Sequence, residues 1–208
     1  MRKLLTIVFF LGLVLNAHSQ YVTFEIGQNY TMYDFTNSSG EINPNVDGGS
    51  GMSLSLGLDK EINPRTFVNY GLTLDEYNAT GGDFASYYNW ETSYLGLQSK
   101  LSLVLVDTTS VPFSIMLDLG LNVNHIIYGR QKINGQTYPL FNESEFNGLF
   151  VEPILGLSLR YLLSNSWGVG ISYNMSKDFG VMNKVDQKLH FENQSITFQL
   201  VYQLKNKS

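Results

Sequence analysis

The chain has 208 residues, no cysteine, and 13 Lys and Arg against 18 Asp and Glu, for a formal net charge of −5. That acidic balance argues against a nucleic-acid partner, and the lack of cysteine excludes a disulfide framework or a thiolate metal site. Charged residues make up 15% of the chain while aromatics reach 13%; soluble domains carry about 25% charge, so part of this surface must face something other than water.

The first residues read as a secretory leader. Arg2 and Lys3 precede an apolar run from Leu4 to Leu15, and Ala17-His18-Ser19 supplies small residues at the cleavage positions. Residues 1–19 are therefore expected to be removed, with 20–208 forming one domain. A membrane-anchoring helix is the weaker reading, because a spanning helix needs about 20 apolar residues. Loss of Arg2 and Lys3 leaves 11 basic residues against 18 acidic ones and takes the charge from −5 to −7.

Eight segments then alternate bulky apolar with small or polar residues, the pattern of a strand with two opposite faces. The first, 21–35, sets Val22, Phe24, Ile26, Tyr30 and Met32 against Thr23, Glu25, Gly27, Asn29 and Thr31. The second, 52–59, sets Met52, Leu54, Leu56 and Leu58 against Ser53, Ser55, Gly57 and Asp59. In the third, Val68, Tyr70, Leu72 and Leu74 oppose Asn69, Gly71, Thr73 and Asp75; in the fourth, Leu95, Leu97, Leu101, Leu103 and Leu105 oppose Tyr94, Gly96, Gln98, Lys100 and Ser102. The fifth, 113–124, is the cleanest, with Phe113, Ile115, Leu117, Leu119, Leu121 and Val123 opposing small or polar residues and one exception, Met116. The sixth, 151–163, sets Leu155, Leu157, Leu159 and Tyr161 against Gly156, Ser158 and Arg160. The seventh sets Trp167, Val169, Ile171, Tyr173 and Met175 against Gly168, Gly170, Ser172, Asn174 and Ser176. The eighth sets Ile196, Phe198, Leu200, Tyr202 and Leu204 against Ser195, Thr197, Gln199 and Gln203.

The connections alternate in length. Those at 60–65, 107–112 and 164–166 are short; those at 36–51, 78–90, 129–147 and 177–189 are long and rich in turn residues. An even strand number, with both termini on the short-turn side, predicts an eight-stranded antiparallel transmembrane up-and-down β-barrel with both termini in the periplasm. Its rival is a soluble lipocalin-like barrel with the bulky face inward around a ligand. Eight strands enclose little more than their own inward side chains, so the small face belongs inside and the bulky one against lipid. Tyr30, Tyr33, Trp90, Phe113, Tyr128, Trp167 and Tyr202 then form two interfacial girdles.

On the leader ending Ala17-His18-Ser19-Gln20-Tyr21, the eight amphipathic strands and the closing run Ile196-Thr197-Phe198-Gln199-Leu200-Val201-Tyr202-Gln203-Leu204, the chain resembles the small outer-membrane β-barrel proteins of Bacteroidota-type bacteria, PorT-like barrels among them. The closing run looks like the signal read by the barrel-assembly machinery, although the chain continues through Lys205-Asn206-Lys207-Ser208 instead of stopping at an aromatic. The resemblance implies fold and location in the outer membrane, with its lipid and lipopolysaccharide as surroundings. It implies no single activity. The expected role is structural or surface-interacting through extracellular loops, toward a protein partner that the sequence does not name. No carboxy-terminal peptidoglycan-binding domain is expected.

Few residues suggest chemistry. Glu25, Asp59, Lys100, Asp118 and Arg160 fall on inward faces and read as a charge network that plugs a non-conducting lumen. A turn symmetric about Thr109 would set Lys100 opposite Asp118. His125 and His190 lie where lipid-modifying barrel enzymes such as the deacylase PagL and the acyltransferase PagP carry catalytic groups, and an outer-leaflet lipid A deacylase or acyltransferase is the alternative function. His190 has Glu192 and Ser195 near it in sequence, but His190 and Ser195 differ by an odd number of positions and point to opposite faces. No catalytic, cofactor or metal site is expected.

Overall fold

The computed structural model describes residues 21–36, 46–82, 87–106, 112–141, 143, 146–179 and 188–204. The expected leader at 1–19 and the tail at 205–208 lie outside the described residues. Alternation of bulky and small side chains gives long strands: β1 Tyr21–Thr36, β2 Val46–Asn63, β3 Thr66–Gly82, β4 Tyr87–Val104, β5 Phe113–Ile133, β6 Gln136–Pro139, β7 Leu149–Leu162, β8 Trp167–Lys177 and β9 Lys188–Gln203. Each pairs antiparallel with its neighbour, and β1 closes on β9 from Tyr21↔Gln203 to Thr36↔Lys188. The ring runs β1-β2-β3-β4-β5-β7-β8-β9. Within the ring each described strand pairs on both sides, so its ladder bonds are made within the protein, as a strand in hydrocarbon requires.

Side-chain parity holds around the ring. Thr23, Glu25, Thr73, Lys100, Asp118, Ser158 and Gln199 are buried inside, whereas Leu97 and Ile196 are 66% and 61% exposed on the outer face. The outer wall of leucine, isoleucine, phenylalanine and tyrosine is too large an apolar surface for water and suits a bilayer. Met116, the exception to the alternation of β5, lies inside and is 2% exposed.

Three features differ from expectation. The strands are longer than the apolar pattern, because polar residues at one end go on pairing: β3 reaches Gly82 and β4 begins at Tyr87, where a long loop had been expected. A ninth strand, β6, lies outside the ring and pairs only with β5. The β5–β6 turn is Asn134-Gly135 with φ of 47° and 83°, the left-handed pair of a tight I′ hairpin. Finally, Tyr33 and Trp90 are not girdle residues, since they turn into the barrel and are 5% and 7% exposed. Tyr30, Phe113, Tyr128 and Trp167 do face outward, and Trp167 packs on Tyr202 with ring centroids 4.7 Å apart.

The described termini, Tyr21 and Leu204, share one rim with the Asn63–Thr66 and Leu162–Trp167 turns. At the opposite rim a bulge at Ile127 shifts β5, so that Ser93 pairs Tyr128 but Tyr94 pairs Ile126. Ile126 keeps the inward parity of β5 and is 4% exposed against the aromatic cluster described below, while the bulge reverses the parity beyond it and turns Tyr128 outward, 44% exposed.

Candidate functional site

The lumen has three levels, each built from inward positions on different strands. Nearest the short-turn rim, Arg160 of β7 donates from Nη2 to Asp59 Oδ2 of β2 at 3.0 Å. Asp59 also accepts from Thr23 Oγ1 at 2.9 Å and from the Asn69 amide. One step along the axis, Lys100 Nζ of β4 donates to Glu25 Oε1 of β1 at 3.2 Å. The remaining acceptor capacity of Glu25 is met by Thr197 Oγ1 and Gln199 Nε2, each at 3.1 Å. A buried ion pair with its spare lone pairs satisfied is the form that low-dielectric surroundings tolerate.

The structure does not form the expected pair between Lys100 and Asp118. Lys100 stands opposite Gly120, and Asp118 opposite Ser102. The ladder is thus displaced by two residues from a turn centred on Thr109, a slip that preserves side-chain parity. Asp118 instead accepts from Ser102 Oγ at 2.5 Å and Ser158 Oγ at 2.7 Å. Gly120 is what frees Lys100 to cross the lumen, because a Cβ there would come within 2.7 Å of Lys100 Cγ.

The middle level is a polar cavity of about 50 Å³, lined by Glu25, Asn29, Ser53, Thr73, Asp75, Tyr77, Asn122, Glu152, Asn193 and others. Asp75 accepts from Ser53 Oγ at 2.6 Å. Glu152, 2% exposed, accepts from Asn124 Nδ2 at 2.9 Å, Ser176 Oγ at 3.1 Å and Tyr77 Oη at 3.2 Å. Its burial and its three donors were hidden from sequence reasoning, because Glu152 lies near the start of β7, before the clean alternation that begins at Leu155.

Over this cavity sits an aromatic cap of Tyr33, Tyr77, Trp90, Tyr94, Phe146, Phe150 and Phe191, with Leu140 and Ile126. Tyr77 stacks on Tyr94 at 5.0 Å, and Phe191 meets Tyr77 at 5.0 Å and Phe150 at 5.2 Å. Leu140 and Phe146, from between β6 and β7, pack into this cap. Outside the cap, Arg130 Nε and Lys132 Nζ donate to Glu91 at 2.6 and 2.9 Å. The bond from Lys132 and then that from Arg130 hold the Glu91 carboxyl below its ordinary range.

Neither histidine joins a catalytic group among the described residues. His125 is exposed and places Nδ1 3.0 Å from the Gly148 carbonyl. His190 lies 3.4 Å from Asp178, while Glu192 pairs with Lys177 at 2.5 Å. Ser195 lines the cavity, on the face opposite His190.

No protein-family model matches the chain, and no curated protein matches it. Solved structures do. The outer membrane protein OprG of Pseudomonas aeruginosa superposes with a TM-score of 0.54 at 11% identity, over 90% of this chain and 97% of that one. Neisserial surface protein A superposes at 0.51 and 11% identity, over 87% and 97%. The fold is that of a small outer-membrane β-barrel. The outer membrane enzyme PagL reaches a TM-score of only 0.37 at 12% identity, over 86% of this chain and 97% of that one, too distant to bear on activity.

Proposed function

We propose that the protein is an integral outer-membrane barrel with a non-conducting lumen, which keeps both termini in the periplasm and offers its opposite rim for interaction at the cell surface. The observation that carries this reading is the double closure of the interior. The Lys100–Glu25 and Arg160–Asp59 pairs cross the lumen at one level and the aromatic cap closes it at another. A path for ions would have to break both. The rim beyond the cap carries the β5–β6 hairpin with Arg130, Lys132 and Tyr138 on its surface, a rigid scaffold presenting exposed side chains. Its neighbours in the membrane would be lipid and lipopolysaccharide, with the barrel-assembly machinery needed for insertion and an envelope or extracellular protein as the loop partner. PorT-like kinship and the leader at 1–19 belong to the same reading.

The geometry gives little support to outer-leaflet lipid chemistry, because His190 and Ser195 lie on opposite faces and His125 sits against a backbone carbonyl. The test is planar-bilayer recording on the purified barrel together with outer-membrane fractionation of cells. No steady conductance and recovery with the outer membrane are expected. Stable ion channels would reject the closed lumen, and recovery in the soluble periplasm would reject the membrane location.

A further inference from the structure

The lumen charges do not balance level by level. Near the short-turn rim, Lys100 and Arg160 pair with Glu25 and Asp59, and Asp118 shares that level and its two cations. In the cavity above, the lining contributes the carboxylates of Asp75 and Glu152 beside Glu25, and no lysine, arginine or histidine lines it among the described residues. Asp75 and Glu152 are 8% and 2% exposed, and neither makes an ion pair among the described residues. Hydroxyl and amide donors satisfy their lone pairs but supply no counter-charge, so each buried carboxyl must either stay protonated or meet a cation.

An independent observation points to what supplies it. Among the described residues, the side-chain oxygens of Asn29, Asn122 and Asn193, and the amide nitrogen of Asn193, have no hydrogen-bond partner, although these residues are only 3%, 3% and 6% exposed. All three line the same cavity, from β1, β5 and β9. Buried amide oxygens left without a donor are the exception in folded proteins. Two carboxylates and three free carbonyl-type oxygens around one polar space form an all-oxygen donor set. The space of about 50 Å³ holds an ion and a few waters, since one water needs roughly 10–15 Å³.

We infer that this chamber binds one hard divalent cation of the calcium class, held by Asp75, Glu152 and the amide oxygens of Asn29, Asn122 and Asn193. Calcium accepts a mixed set of carboxylate, amide and water oxygens in a flexible geometry, whereas magnesium demands a strict octahedron and keeps its waters. The double charge offsets the two carboxylates. With the ion pairs on one side and the aromatic cap on the other, the ion enters as the barrel folds and leaves slowly. The inference does not depend on the surface role proposed above, which calcium retention does not read.

The test uses the mature barrel folded into neutral-detergent micelles with calcium chloride, desalted into a chelator and analysed for metal by atomic emission. Wild-type protein should retain about one calcium per barrel and resist urea better than protein folded in chelator, because a ligand that binds only the folded state stabilises it. D75N and E152Q should lose the metal. Glu91→Gln, on the outer rim, should keep it. Because an acid variant may fail to fold, N29A and N193A provide a second arm: they should fold normally in chelator yet hold calcium at least about tenfold more weakly, as loss of a supporting ligand does. Wild-type protein that retains no calcium and whose urea midpoint ignores it would overturn the inference and leave protonated carboxyls as the charge compensation. Undiminished retention by N29A and N193A would overturn it equally.

Discussion

Lys100 Nζ of β4 lies 3.2 Å from Glu25 Oε1 of β1, a contact across the lumen between strands that are not ladder partners, with both side chains almost wholly buried. Removing one partner strands a charge in the barrel interior, so Lys100→Met or Glu25→Gln should each cost about 3–5 kcal/mol, and the double variant should cost less than their sum. Urea unfolding in lipid vesicles supplies the double-mutant cycle. The coupling of Lys100 with Glu25 should exceed that of Lys100 with Asp118, whose carboxylate is satisfied by Ser102 and Ser158. Equal or larger coupling with Asp118 would show that the pairing is wrong.

That pair also marks the boundary of what the sequence could reveal. Alternation says which face each side chain takes, and Glu25, Lys100, Asp118 and Arg160 lie on inward faces. It is blind to a register slip of two residues, which leaves every side chain on the same face. The segment Asp107-Thr108-Thr109-Ser110-Val111 holds no glycine or asparagine to centre the turn. The aromatic cap was half legible: Tyr94 sits on the small-residue face of β4 by parity, whereas Tyr33 and Trp90 read as girdle residues because aromatic character alone does not tell which side of the wall a ring occupies. The extended strands at that rim went unseen because paired polar residues carry no periodic hydrophobic contrast. The Asn134-Gly135 dipeptide, by contrast, was a usable hairpin signature.

The cap should behave as a true hydrophobic core in miniature. Phe191, 1% exposed, contacts Tyr33, Tyr77, Tyr94 and Phe150. Phe191→Ala should therefore destabilise the barrel by about 3–5 kcal/mol, the usual range for truncating a buried aromatic. Under the closed-lumen reading, the same variant should still fail to conduct in a planar bilayer, because the Lys100–Glu25 and Arg160–Asp59 level persists. Open channels from Phe191→Ala alone would mean that the cap is the sole barrier.

The outer rim should loosen in acid. Lys132 and Arg130 hold the Glu91 carboxyl below its ordinary value of 4.5. A depressed folded-state value contributes stability that is complete above the unfolded-state range and is lost as pH falls through the folded-state value. Pairing between β4 and β5 at Glu91↔Arg130 should thus exchange amide protons faster, relative to intrinsic rates, once pH drops below about 4.5. Salt should have the same effect at neutral pH, since the cluster is partly exposed and screenable. Glu91→Gln should abolish the acid dependence, and an unchanged pH profile in that variant would show that another group governs the rim.

Topology can be read at two turns. The Asn134-Gly135 hairpin tip projects beyond the ring, and a Cβ added at Gly135 would meet no atom within 4 Å. A short epitope inserted after Gly135 should leave the barrel intact, because closure cost rises only slowly with loop length. Gly81 is unsuitable despite its long-loop appearance in sequence, since it pairs with both Val46 and Tyr88 and an insertion there would break two ladders. The opposite rim offers Asn165, exposed in the turn between β7 and β8. Under the proposed topology, with both termini in the periplasm, antibody on intact cells should label the Gly135 insertion and reach the Asn165 insertion only after the outer membrane is permeabilised. Labelling of Asn165 on intact cells with Gly135 protected would turn the barrel over and assign the aromatic cap to the periplasmic mouth.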